Sequence, residues 1–134
     1  MPEGTDKLSI VVFDGGYDRV HYALVMASAA AATNRAVTLF FTGPALTALT
    51  PDGWRRLAGD PAAADAALTA RGVAGFETLL EACRDLDVCF IACEMGLRAS
   101  GLDASDLAPD LTVEIAGVVT FLNQAPKTGQ IVFI

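Results

Sequence analysis

Three cysteines, a single histidine and a set of carboxylates are the side chains of this 134-residue sequence best suited to covalent chemistry. Cys93 stands out among them by position. It closes the apolar run Val88 to Ala92, and Glu94, Met95 and Gly96 then end the apolar pattern. Such a run reads as a strand buried on both faces. The carboxyl end of a buried parallel strand is where open α/β sheets place their ligands and chemistry. Backbone N–H groups at the turn that follows can favour a thiolate over a thiol. Cys93 is therefore the candidate nucleophile or sulfur acceptor, with Glu94, Met95 and Gly96 as candidates for lining its pocket. Glu94 works against a thiolate, because a nearby carboxylate raises a thiol's pKa.

Two further residues belong to the same edge of the expected sheet. His21 could take a proton from a thiol, and the first turns of a helix starting near Asp18 would hold it near the strands' carboxyl ends. Gly15 lies in the turn Asp14-Gly15-Gly16 after the first strand. Cys83 shares a helical stripe with Phe76, Leu79, Leu80 and Leu86, and Cys89 lies within a strand covered on both faces, so both are expected to be inert. Cys89 and Cys93 would face one side of an extended strand about 13 Å apart, beyond the ~7 Å that a disulfide allows. With one histidine and no C-x-x-C pair, neither a zinc site nor any other cofactor is expected. The sequence has no G-x-G-x-x-G, no P-loop and no G-x-S-x-G elbow, so nucleotide binding and serine hydrolysis have no support.

The positioning elements follow from the apolar pattern. Strands are predicted over 8–13, 36–41, 88–92, 112–115 and 130–134. A long helix is predicted over 18–33, an amphipathic one over 76–86 and a short one over 118–125. The first strand, helix and second strand fit a βαβ unit of about 35 residues with a right-handed crossover. Thr50 to Gly75 is punctuated by Gly and Pro, with short helices predicted over 53–57 and 61–70. It leaves the carboxyl end of the second strand and is expected to border the pocket at Cys93. The whole reads as one domain over residues 1–134, an α/β/α three-layer sandwich around a mainly parallel five-stranded sheet.

Composition limits the partners. The chain carries 9 basic and 16 acidic residues, for a net charge of -7, so nucleic acid and anionic membrane are poor partners. No apolar run approaches the ~20 residues needed to span a bilayer. The polar N-terminus reads as carrying no export signal, and a cytoplasmic protein is expected. A mean hydropathy of +0.45 is high for a small soluble monomer. A homo-oligomer that buries apolar surface between subunits is expected, most simply a trimer.

The stretches F-I-A-C-E-M-G-L at 90–97 and V-E-I-A-G-V-V-T-F-L at 113–122, with V-T-L-F-F-T at 37–42 and the terminal I-V-F-I, resemble the DsrE/DsrF-like family, and within it the DsrE2-type branch. The resemblance implies the strand order 4-3-2-1-5 and homo-oligomers of three subunits or more. It implies handling of sulfane sulfur as a cysteine persulfide, with the family cysteine falling on Cys93. The partner would be a small sulfur-carrier protein or a low-molecular-weight persulfide donor. The function so implied is a sulfur carrier of sulfurtransferase type. The alternative is a non-catalytic homo-oligomeric scaffold that binds a partner protein or small ligand.

Overall fold

The structure is a computed structural model that describes residues 7–134. The polar N-terminal segment, apart from Lys7, lies outside the described residues. Five parallel strands form the sheet: β1 (Leu8–Val12), β2 (Val37–Phe41), β3 (Cys89–Cys93), β4 (Val113–Ala116) and β5 (Gln130–Phe133). Their order is β4-β3-β2-β1-β5, and every neighbouring pair is parallel. The order implied by the family resemblance is thus the observed one.

Strand parity sorts the core into two parts, because alternate side chains of a strand point to opposite faces. Ile10, Val12, Leu39, Phe41, Phe90 and Ala92 face the larger core, and Phe40, Ile91 and Cys93 the smaller. The helices follow the same division. The connections from β1 through β4 step across the sheet in one direction, so right-handed crossovers put them on one face. These connections carry α1 (Tyr17–Ala32), α2 (Pro61–Ala70), α3 (Phe76–Asp85) and α4 (Glu94–Ala99). From β4 the chain returns to the far edge through α5 (Val118–Gln124), and the same handedness puts that helix on the opposite face. One face therefore has several helices over it and the other a single helix of 7 residues.

The helix bounds depart from expectation in instructive ways. α1 starts at Tyr17 with Gly16 as its N-cap, not at Asp18. Asp14 causes the shift: its Oδ1 accepts the Gly16 N–H at 2.7 Å and folds the turn early. Asn34 ends the segment in the left-handed region, as a helix-stopping asparagine does. α4 begins directly after Cys93, with no intervening turn.

The excursion 50–75 does not border Cys93. A 3-10 turn over Gly53–Arg56 and then α2 carry it onto the α1 face, where Trp54, Leu57, Ala64 and Leu68 join the larger core. Asp65 fixes it there. Its Oδ1 accepts from the Tyr17 hydroxyl at 2.5 Å and from the Phe76 N–H at 2.7 Å, linking α2 to the starts of α1 and α3. Asp65→Ala would leave two donors without their acceptor, and it is expected to cost about 2–4 kcal/mol in urea unfolding. Asp65→Asn keeps an acceptor oxygen and is expected to cost less. A loss below about 0.5 kcal/mol for the alanine variant would mean that water replaces the carboxylate without penalty.

Candidate functional site

Cys93 is the last residue of β3 and the N-cap of α4. Its Sγ accepts the Gly96 N–H at 3.3 Å, as a capping side chain does with a free N–H of the first turn. The sulfur thus has one fixed donor. Gly96 sits in a tight contact. A Cβ at that position would stand 2.9 Å from Thr42 Oγ1, 3.0 Å from Leu46 Cδ1 and 3.3 Å from Cys93 Cβ. Its lack of a side chain lets α4 approach the segment after β2.

The remaining pocket candidates separate from this pair. Glu94 and Met95 occupy the first turn of α4 but are exposed, Met95 at 70%. His21 does not meet the thiol. It is buried on the α1 face, where its Nε2 lies 2.9 Å from the Ala74 carbonyl oxygen, whereas Cys93 belongs to the core on the other side of the sheet. The expectation of a Cys–His pair is corrected by this placement: both residues are near the correct edge, but the sheet separates them. Gly15 is also a packing residue, since a Cβ there would lie 2.5 Å from Pro44 Cβ. It allows the turn after β1 to pass the segment after β2.

The surroundings of Cys93 are apolar. Phe40, Ile91 and Phe121 share its small core, with Phe40 and Phe121 stacked at 4.6 Å, and Cys93 is only 2% exposed. The thiol that meets an open cleft is Cys89. A cleft of about 550 Å³ is lined by Cys89 together with Arg84, Asp85, Asp87, Asp110 and Glu114. Cys89 is half-buried rather than fully covered. Burial, followed by the charge of Glu114, raises its pKa, and Lys7 and a hydrogen bond with Thr38 only partly oppose this. The sequence signal for this cleft was the acidic cluster flanking β3 and β4, which apolar periodicity does not register.

Cys83 is fully buried on the core face of α3, and burial pushes its thiol up from 9.0 to about 12. This predicts a pH dependence of stability. Between about pH 9 and 12 the unfolded chain has released a proton that the folded chain retains, so stability falls as pH rises. The slope from this group is at most about 1.4 kcal/mol per pH unit. Cys89 and Tyr17 are shifted in the same direction. Urea unfolding of the native protein at pH 9 and pH 10.5 should show the fall, and Cys83→Ala should reduce its slope. Equal slopes in the two proteins would exclude Cys83 as a source.

Among the described residues, no cluster of three or more His, Cys, Asp or Glu could hold a metal ion, and no helix is long and apolar enough to cross a membrane.

A parallel five-stranded sheet in the order β4-β3-β2-β1-β5, with a cysteine at the end of β3, defines an α/β sandwich protein with a strand-end thiol. The profile of the DsrE/DsrF-like family matches residues 6–133, and the chain belongs to that family, which is associated in general with sulfur relay. Solved structures share the fold at low identity. The protein of unknown function MTH1491 from Methanobacterium thermoautotrophicum is 18% identical with a TM-score of 0.61, over 96% of this chain and 99% of that one. The conserved protein of unknown function BT1422 from Bacteroides thetaiotaomicron is 14% identical with a TM-score of 0.63, over 100% of this chain and 99% of that one. The ychN protein from E. coli is 16% identical with a TM-score of 0.61, over 96% of this chain and 99% of that one. A search of curated proteins finds no match.

Proposed function

We propose that this protein is a homo-oligomeric sulfur carrier that accepts and relays sulfane sulfur on Cys93. The observation that carries the reading is the Cys93 sulfur at the end of β3, held by the Gly96 N–H, in a chain of the DsrE/DsrF-like family. The Cys93 thiolate attacks the outer sulfur of a donor persulfide, RS–SH. A new S–S bond forms on Cys93 as the donor's S–S bond breaks, and the donor leaves as the thiolate RS⁻. In the second half, an acceptor thiolate attacks the outer sulfur of the Cys93 persulfide, and Cys93 leaves as the thiolate. No net oxidation occurs and no cofactor takes part. The partners are a low-molecular-weight persulfide or a small sulfur-carrier protein.

The second reading is a non-catalytic oligomeric scaffold. The near-complete burial of Cys93 favours it. Intact mass after incubation with polysulfide separates the two. A gain of about 32 Da mapped to Cys93 supports the carrier, and no gain with polysulfide, thiosulfate or a protein persulfide leaves the scaffold.

A further inference from the structure

We infer that α5 is a hinged cover over Cys93, pinned to the sheet by the single side chain of Phe121, and that reagents reach the sulfur only when this helix lifts. The inference concerns access to the thiol assigned above and draws its significance from that reading. It begins with the faces of the sheet. Cys93 lies on the face that α5 covers, and its apolar neighbours there are Phe40, Ile91 and Phe121. Cys93 is only 2% exposed, and its sulfur is engaged on one side by the Gly96 N–H. Phe121 is the one side chain that α5 contributes to the apolar cluster enclosing Cys93, where it stacks on Phe40.

The attachment of α5 is slight. Phe121 is its only buried residue, whereas α1 buries Tyr17, Val20, His21, Ala23, Leu24, Ala27 and Ala30. Val118, Val119 and Leu122 are exposed. The helix is bounded by Gly117, around whose absent side chain the space is open, and by the turn from Pro126 to Gly129. One further tether, from Lys7 Nζ to the Gln124 carbonyl oxygen, is a long 3.4 Å and exposed. Segments with few buried apolar contacts and exposed backbone open locally at low free energy, independently of global unfolding. Lifting α5 exposes one aromatic ring and uncovers the sulfur, and the sheet beneath can stay intact.

The test uses the Cys83→Ala/Cys89→Ser protein, in which Cys93 is the only thiol. Its alkylation by iodoacetamide at pH 8 is expected to be at least about tenfold slower than in urea, because the cover is closed for most of the time. Adding Phe121→Ala is expected to raise the rate in native buffer at least about tenfold, and Phe121→Leu should fall between the two. Equal rates with and without Phe121→Ala overturn the inference. If Phe121→Ala unfolds, which its circular dichroism would reveal, hydrogen exchange of the protein held monomeric by Phe133→Asp decides. Amides of 118–124 should be at least about a hundredfold less protected than those of 8–12, and equal protection overturns the inference. Neither readout involves sulfur transfer. A protein that takes up no sulfane sulfur yet shows both results retains the cover and loses the carrier role.

Discussion

Cys93→Ser is expected to abolish uptake of sulfane sulfur while leaving the fold and the oligomer size unchanged. Three thiols compete for a donor's sulfur, and the structure gives each a different handicap. Cys83 has neither access nor thiolate, being fully buried with its pKa pushed up to about 12. Cys89 has access through the cleft beside β4, but its burial and the charge of Glu114 disfavour the thiolate. Cys93 has an amide donor aimed at its sulfur but little access in the closed state. Attack at sulfur needs both a thiolate and a path to it, so Cys89 is the real competitor. The carrier reading requires the persulfide to map to Cys93 by peptide mass, with at least about a tenfold loss of loading in Cys93→Ser and little loss in Cys89→Ser. If the persulfide maps to Cys89 and survives Cys93→Ser, the cleft at the amino end of β3 and β4 is the site, and the strand-end assignment is wrong.

The strands were legible because a parallel sheet covered on both faces leaves continuous apolar runs such as Val37–Phe41. That same property hid the arrangement of the site. In β3 both Ile91 and Ala92 are apolar and fully buried, so no polar alternation tells which face Cys93 joins. The face of α5 does follow from crossover handedness once the strand order is known. The placement of His21 does not, because it also depends on strand parity at Cys93. The excursion 50–75 was misplaced for a different reason. Its Gly and Pro residues mark it as irregular, but the contact that anchors it, Asp65 with Tyr17 and the Phe76 amide, joins residues far apart in the chain. The sequence marks Gly96 as part of a break after the strand. Its function as clearance for α4 against Thr42 and Leu46 needed coordinates.

Charging the outer face of α5 and the edge at β5 is expected to reduce the proposed oligomer to monomers. The proposed oligomer needs an apolar surface, and the Ala-rich α1 does not supply it, because α1 packs against β1, β2 and α3. Six apolar side chains are exposed on or beside the thinly covered face: Phe13, Val118, Val119, Leu122, Ile131 and Phe133, ranging from Val118 at 45% to Val119 and Phe133 at 69%. Phe13 and Phe133 stack on each other at 5.9 Å. Phe133 pairs in register with Val11, which packs against the small core beneath α5, so the patch runs from the helix to the sheet edge. An exposed apolar surface of this kind, gathered on one face, is what a subunit contact would bury. No charged side chain is among the six, so association through them meets no like-charge repulsion within the patch. Light scattering over a dilution series should give a multiple of the 13.9 kDa chain mass, a trimer or larger by the family resemblance. The Val119→Asp/Phe133→Asp protein should give the monomer mass, because each carboxylate would be desolvated without a partner on association. A monomeric native protein at micromolar concentration would sink the oligomer outright. An oligomer that survives both substitutions would move the interface elsewhere. If the interface is this one, association presses α5 against the sheet, so the charged variant should also alkylate at Cys93 faster than the native oligomer, linking subunit contact to access at the thiol.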